Sequence, residues 1–334
     1  MTATRIEYHA PTTLAQAVAL LGEHGPAAAP LAGGTDLVPA LKYGVLRARH
    51  LVSLARIPGH RDIATTAEGG LSIGAFATLA AVARSPLVSA VCPALAEAAA
   101  QAGSPLLRNR GTLGGNVCLD TRCWYYNQTE AWRASRALCQ KAGGEQCYVN
   151  QKQNVCVALF SADTPAALIA VGARATLAGP AGERIVPVEA LYSGEGLRPL
   201  AKGEAEIVTD IAVPAPPARS GTAYLKHSQR ESIDFPLLGA AAAVALSPGG
   251  TIASARIALT GARSAPCRLP ELEAALAGGP VPAEGDRELA RLATGSLGAL
   301  FLTEAVPHKR RLAGLMAVDA VARAAAAAQG RRTP

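Results

Sequence analysis

The chain has 334 residues, of which 50% are hydrophobic, 17% are charged and 4% are aromatic, and its formal net charge is +7. This length predicts two or three compact units. The basic charge does not indicate nucleic-acid binding, because the arginines are scattered and the densest basic group, at 309–311, opens a predicted helix with a solvated face. The sequence shows no signal peptide or membrane span, so we expect a cytoplasmic protein that binds neither nucleic acid nor membrane.

The residues up to Gly115 predict a mixed α+β unit, because short apolar runs alternate with amphipathic segments over short connections. Thr12 or Thr13 can cap the first helix, and Thr78 can cap the second. The strands are predicted at 5–8, 50–54 and 71–75, and the helices at 11–25, 79–84 and 93–103.

Between Leu119 and Phe160 the composition changes, because alanine and leucine give way to asparagine, glutamine, cysteine and aromatic residues. We interpret this stretch, the cysteine-rich segment (residues 119–160), as an insertion. Beyond it the alanine-rich composition resumes, and a proline-rich linker is predicted at 213–221. The later strands are predicted at 166–171, 173–179, 222–228, 238–246 and 252–260, and the later helices at 270–277, 287–300 and 307–328.

Two glycine-rich turns are candidates for a phosphate-binding site. The first is AGGTD at 32–36, between a predicted strand and a helix, and the second is RGTLGGN at 110–116. Paired glycines let backbone amides approach a phosphate, and a helix start adds favourable partial charge. Either sequence alone is usual in a tight turn, but two in one chain favour a bound dinucleotide, although neither G-x-G-x-x-G nor a P-loop occurs.

The cysteine-rich segment holds both tryptophans, three of the seven tyrosines and four of the seven cysteines of the chain. Its cysteines, at 123, 139, 147 and 156, are separated by fifteen, seven and eight residues. Four thiolates can hold zinc or an iron–sulfur cluster. This spacing contains no C-x-x-C pair, so spacing alone leaves metal ligands and unligated thiols equally open.

Four sequence motifs occur in the order that one known family shows. They are LAGGTDL at 31–37, RNRGTLGGN at 108–116, SADTPAALIAVGA at 161–173 and YLKHSQRESIDFPLLGAA at 224–241. Together they resemble the FAD-binding subunits of the molybdenum hydroxylase family, which includes xanthine and carbon monoxide dehydrogenases. The resemblance covers essentially the whole chain and implies an α+β fold. It implies two FAD-binding subdomains at 1–57 and 58–216, the second carrying the insertion, and a C-terminal α/β domain at 217–334.

The same resemblance implies how FAD is held. Backbone amides of the first turn would bind the pyrophosphate, and the second turn would complete that cradle. Asp163 would meet the ribityl chain or an adjacent polar part of FAD, and Lys226 would lie near the flavin ring, where a cation favours the reduced anionic flavin. The implied FAD-binding residues are Ala32, Gly33, Gly34, Thr35, Asp36, Thr112, Gly115, Asn116, Asp163 and Lys226.

The motifs LDTRC and WYYNQ, with the three later cysteines, resemble the insertion of 4-hydroxybenzoyl-CoA reductase β subunits. That resemblance implies a [4Fe–4S] cluster, with ferredoxin as the electron donor. It also implies partner subunits that carry [2Fe–2S] centres and a molybdenum cofactor, in a heterohexamer of three subunit types. The implied reaction is reductive removal of the phenolic hydroxyl of 4-hydroxybenzoyl-CoA. The implied cluster ligands are Cys123, Cys139, Cys147 and Cys156, which Trp124, Tyr125, Tyr126, Trp132 and Tyr148 would shield from water.

Three alternatives stay open at this point. The first is that the chain is the FAD subunit of an oxidative molybdenum hydroxylase that delivers electrons to an external acceptor. The second is a redox sensor that uses flavin or an iron–sulfur centre. The third is a flavoprotein whose cysteine-rich segment is cross-linked by zinc. Cys92, Cys118 and Cys267 are expected to be small buried or partly buried residues rather than ligands. The six histidines show no paired ligand spacing, so the sequence predicts no histidine metal site.

Overall fold

The computed structural model describes residues 6–297 and 306–330, and the strands of these residues form three sheets. The first sheet has three strands in the order β1-β3-β2, all parallel. Its elements are β1 (Glu7–His9), α1 (Leu14–His24), β2 (Ala28–Leu31), α2 (Leu37–Lys42) and β3 (His50–Ser53). The Thr13 hydroxyl accepts a hydrogen bond from Gln16 N at 3.2 Å and caps α1, as predicted.

The second sheet has five strands in the order β4-β5-β8-β6-β7, all antiparallel. Its helices bury alanine and leucine side chains in one continuous core with α1 and β3. The predicted Thr78 cap of α3 is confirmed by a 3.1 Å bond from Ala81 N to the Thr78 hydroxyl. The elements are β4 (Ile63–Thr65), β5 (Leu71–Gly74), α3 (Leu79–Arg84), α4 (Pro86–Val91), α5 (Pro93–Gln101), α6 (Pro105–Arg108), α7 (Leu113–Val117), α8 (Glu130–Ala134), α9 (Thr164–Ala170), β6 (Arg174–Gly179), β7 (Gly182–Pro187) and β8 (Ile207–Val213).

The third sheet is antiparallel in the order β12-β11-β10-β9 and packs against three helices. The helix α12 approaches β9 so closely that a Cβ at Gly221 would lie 2.2 Å from Ala324 O. This helix is long and apolar enough to span a membrane. More than half of its apolar stretch is buried inside the protein, however, as is usual for a core helix. The elements are β9 (Ser220–His227), β10 (Leu238–Leu246), β11 (Ile252–Thr260), β12 (Cys267–Arg268), α10 (Pro270–Leu276), α11 (Arg287–Ser296) and α12 (Val306–Gly330).

The α+β prediction is confirmed, but the strand predicted at 166–171 is wrong. Residues 166–170 belong to α9, whose residues are all buried and whose first turn contains Pro165, and Val171 is its C-cap. Proline is tolerated there, because a first-turn N–H has no partner within the helix. An apolar run that is buried on every side has no period that separates a helix from a strand. The last part of the helix predicted at 287–300 lies outside the described residues.

Candidate functional site

A cleft of about 420 Å³ opens between the first and second sheets. It has the size of a small-molecule or cofactor site. Eight of the ten residues implied for FAD binding line it, namely Ala32, Gly33, Gly34, Thr35, Asp36, Thr112, Gly115 and Asn116. The two glycine-rich turns, which lie far apart in the sequence, therefore form one site.

The backbone of the first turn lies directly against the backbone of the second turn at Gly33. A Cβ at Gly33 would lie 2.0 Å from Arg110 O and 2.9 Å from the Cα of Gly111. The next residue, Gly34, has a φ of +74°, which L side chains rarely adopt. Both glycines are thus needed for the geometry of the turn, and the backbone itself is exposed to the cleft.

The second turn is the start of the short helix α7. The hydroxyl of its N-cap Thr112 accepts from Gly115 N at 3.1 Å. Asn116 Oδ1 accepts from the backbone N–H and the hydroxyl of Thr164, at 3.1 and 2.6 Å. Gly114 N donates to Ala75 O at 2.7 Å. These bonds tie the cleft wall to the end of β5 and to α9.

Asp36 is neutralised by an arginine of the cysteine-rich segment. Arg122 Nη1 lies 2.7 Å from Asp36 Oδ1, and the Arg122 guanidinium lies over the Phe235 ring at 4.4 Å. Burial raises the pKa of Asp36, and the charge of Arg122 opposes that shift. The carboxylate is therefore engaged by Arg122, and the turn offers a phosphate its amides rather than an acid.

Asp163 and Lys226, the other two implied FAD ligands, are not among the cleft-lining residues. They form an ion pair of 3.0 Å, with side chains only 4% and 6% exposed. Lys226 also donates to two backbone carbonyls, and the Tyr224 hydroxyl donates to Asp163 at 2.9 Å. Burial raises the pKa of Asp163 to about 6 against the charge of Lys226 and the bonds that it accepts. Their contact with a cofactor stays a prediction, whereas their contact with each other is a finding.

We expect Asp163→Ala to destabilise the protein by about 3–5 kcal/mol, because it leaves the buried ammonium of Lys226 without its counter-charge. The double variant Asp163→Ala/Lys226→Met should recover most of that loss, since it removes both charges. Urea unfolding followed by circular dichroism measures both. A single variant as stable as the unmodified protein would show that the pair contributes nothing.

The four cysteines of the cysteine-rich segment converge on one small cavity, which Tyr125 and Tyr148 also line. None of them is in a disulfide. The two ends of the segment are held together, because Arg122 and Leu159 exchange backbone hydrogen bonds of 2.7 and 2.8 Å. The convergence brings together the predicted ligands Cys123, Cys139, Cys147 and Cys156.

The spread of the sulfurs bears on which metal fits. All four cysteines belong to the described part of the chain, and their sulfurs do not gather within 4.8 Å of one another. Tetrahedral zinc with bonds of about 2.3 Å would hold its sulfurs about 3.8 Å apart. A four-iron cluster, which binds one thiolate at each iron, spreads its ligands further. The four thiols are a donor set that zinc or an iron–sulfur cluster can use, and zinc would require the sulfurs to move closer together.

Two of the thiols at this cavity, those of Cys123 and Cys156, have raised pKa values. Burial raises the pKa of Cys123 to about 11, and the charges of the other three cysteines add to the shift. Burial also raises the pKa of Cys156, while Lys141 opposes that shift. Ligation must therefore displace protons, as is usual for thiolate sites. Asn150 N points at Cys147 Sγ at 3.4 Å, in the direction that stabilises a thiolate.

One stretch of chain, residues 120–127, separates the cleft from the cysteine cavity. Arg122, Tyr126 and Asn127 face the cleft, whereas Cys123 and Tyr125 face the cavity. Within the same stretch Asn127 Oδ1 accepts from Cys123 N at 2.8 Å. The two candidate sites are thus neighbours that share one wall.

Two cations that the sequence did not single out hold this wall. The Arg133 side chain, which is buried, donates to the carbonyls of Tyr126, Gln128, Tyr43 and Gly44 and so ties α8 to the end of α2. Lys141 Nζ lies 2.9 Å from Asp120 Oδ1 and 5.1 Å from the centroid of the Tyr126 ring. No sequence signal marked them, because scattered basic residues are usually solvated.

The predicted aromatic shield is formed only in part. Tyr125 and Tyr148 lie at the cavity with ring centroids 5.2 Å apart. Tyr126 faces the cleft instead, Trp124 is 67% exposed, and Trp132 stacks with Arg136 at 3.7 Å. Two of the five aromatic residues therefore shield the cysteines, and the other three have different contacts.

Two family models match this chain, and the first covers the residues that form the cleft. Residues 4–216 match the model of the FAD binding domain in molybdopterin dehydrogenase, and residues 223–324 match the CO dehydrogenase flavoprotein C-terminal domain. The first match contains both glycine-rich turns. The match supports FAD as the cofactor of residues 4–216, the part of the chain that forms the cleft.

Individual relatives agree over most of the chain. The medium chain of carbon monoxide dehydrogenase from Hydrogenophaga pseudoflava is 35% identical over 77% of this chain and 74% of its own length. The corresponding chain from Afipia carboxidovorans is 30% identical over 97% and 98%. A solved structure of the Hydrogenophaga pseudoflava enzyme superposes over the whole of both chains with a TM-score of 0.76 and 32% identity. With its cleft, both domains and its relatives in agreement, the chain belongs to the FAD-binding subunits of the molybdenum hydroxylase family.

Proposed function

We propose that this chain is an electron-transfer subunit that carries FAD in the cleft and a [4Fe–4S] cluster on Cys123, Cys139, Cys147 and Cys156. The observation that carries the proposal is the convergence of these cysteines on a cavity whose wall, residues 120–127, also lines the FAD cleft. When bound, the cluster supplies a one-electron carrier, and FAD joins one-electron to two-electron carriers.

The residues of the chain hold the two groups by different means. Backbone amides at Gly33 and Gly34 suit the pyrophosphate of FAD, because the glycines leave the main chain bare, and the start of α7 forms the facing wall of the cleft. The four thiols suit iron, and the tyrosines beside them limit access of water. Arg122 keeps the acid of the first turn paired and away from the cofactor phosphates.

We propose that the partners are a small [2Fe–2S] subunit and a large molybdenum subunit, in a heterohexamer of three subunit types. Two properties of the relatives support a larger assembly. Two carbon monoxide dehydrogenase relatives are named medium chains, and one solved carbon monoxide dehydrogenase is a Cu,Mo enzyme. A chain that binds only redox groups would then pass electrons to or from a substrate site on another subunit.

Two directions of electron flow are candidates. The named relatives are dehydrogenases, which favours oxidation at molybdenum and release of electrons from FAD to an external acceptor. The four-cysteine site favours the reverse direction, because a further one-electron centre suits a ferredoxin donor. In that case the partner subunit would remove the hydroxyl of 4-hydroxybenzoyl-CoA. The relatives support the oxidative direction better, and the cysteine-rich segment is the reason to test the reductive one.

We expect anaerobically purified protein to contain about four iron and four sulfide per FAD. Iron, acid-labile sulfide, zinc and flavin analysis measures this composition. Zinc in place of iron, or FAD with no metal, would contradict the proposed cluster.

The direction of electron flow is tested on the complex with its partner subunits, with reduced ferredoxin and 4-hydroxybenzoyl-CoA. Formation of benzoyl-CoA establishes the reductive direction, and its absence leaves the oxidative one.

A further inference from the structure

Three histidines from separate parts of the sequence meet at one end of the first sheet. His9 ends β1, His24 ends α1, and His50 begins β3. One ring nitrogen of each lies within 4.8 Å of the corresponding nitrogens of the other two. All three side chains are half-buried, and the cluster is separate from the cleft and from the cysteine cavity.

The distances within this cluster are those of a metal coordination shell. His9 Nε2 lies 3.1 Å from His50 Nδ1, and the Glu7 carboxylate lies 3.4 Å from the same nitrogen. Tetrahedral zinc with bonds of about 2.0–2.1 Å places its ligand atoms about 3.3 Å apart. The His24 ring stacks on the His50 ring with the centroids 3.7 Å apart, so it must tilt out of the stack to direct a nitrogen lone pair at the same ion.

Strand pairing and the return of α1 hold the three histidines close together. β1 and β3 are parallel neighbours in a register that pairs Glu7 with His50. α1 returns the chain so that its last residue, His24, lies over that pair. Three imidazoles with a carboxylate nearby are a ligand set that zinc and related divalent ions bind.

We propose that His9, His24 and His50 bind one divalent transition-metal ion of the zinc class, with Glu7 or water as the fourth ligand. The ion fastens β1 and the end of α1 to β3. Since β2, which leads into Gly33, pairs with the other side of β3, the ion stabilises the unit that presents the first turn to FAD. Its role is structural, and it is independent of the thiolate site.

The test is Zn²⁺ titration by calorimetry on anaerobically purified protein that carries FAD and has its cysteine site filled. We expect one ion per chain and a higher thermal midpoint with Zn²⁺. In His24→Ala and in His9→Gln the affinity should fall at least 100-fold, with FAD content unchanged as the sign of an intact fold. The matched control is His308→Ala, because His308 is an exposed histidine on α12.

Three results would overturn the proposal. One is that the unmodified protein takes up no Zn²⁺ beyond its filled cysteine site. Another is that His24→Ala and His9→Gln bind Zn²⁺ as tightly as His308→Ala does. Co²⁺ used as a probe separates the two sites, because only thiolate-bound Co²⁺ gives intense sulfur-to-metal absorption. That absorption in the titrated protein would assign the ion to cysteine and also contradict the proposal.

Discussion

Cys139→Ser is expected to lower the iron content from about four atoms per chain to a small fraction of that, while one FAD per chain remains. Cys139 is buried at the cavity, where its thiol is one of the four that converge. A serine hydroxyl is a poor replacement for a thiolate ligand of iron, and no other cysteine lines that cavity. The glycine-rich turns line the cleft, whereas Cys139 lines the separate cavity, so FAD binding should be unaffected.

The matched control is Cys267→Ser, because Cys267 lies on β12 in the third sheet, away from the cavity. Burial raises the pKa of that thiol to about 11, so it is a neutral group in the folded protein. We expect its replacement to leave iron, sulfide and FAD at the levels of the unmodified protein. Equal iron in Cys139→Ser and Cys267→Ser, measured by metal analysis and by the visible spectrum, would remove Cys139 from the ligand set.

The glycine-rich turns were predictable from sequence because their requirement is local. A turn in which the backbone of one segment touches that of another has room for glycine alone, as Gly33 shows against Arg110. Helix caps are local too, so Thr13 and Thr78 marked their helices correctly. The strand predicted at 166–171 failed because a fully buried run carries no period to read.

The contacts that join distant parts of the chain were not predictable by the same means. The spacing of the four cysteines did not reveal that they meet, because the turns between them are irregular and set by side chains such as Asn127 and Asn154. The pairing of Asp163 with Lys226 depends on the packing of α9 against the third sheet. The histidine cluster arises from strand register and the return of α1, which no local spacing records.

Gly33→Ala is expected to reduce FAD to less than about a tenth of one per chain while iron and sulfide are retained. The added Cβ would lie 2.0 Å from Arg110 O and 2.7 Å from its carbonyl carbon. Both are backbone atoms, so no rotation of a side chain relieves the overlap, and the two turns must separate. Separation moves the amides of the first turn away from the place where they would hold the pyrophosphate, opposite the wall that the second turn forms. Flavin absorbance after gel filtration, with metal analysis of the same sample, measures the result.

Gly295→Ala is the matched control, because it adds the same methyl group where no atom lies within 4 Å. Gly295 lies in α11, so alanine there should leave FAD unchanged and stabilise the helix by up to about 1 kcal/mol. An unchanged FAD content in Gly33→Ala would mean that FAD binding does not need the close contact of the two turns. The cleft would then not be the FAD site. Loss of FAD with iron retained, beside loss of iron with FAD retained in Cys139→Ser, would establish two cofactor sites that share a wall but are filled independently.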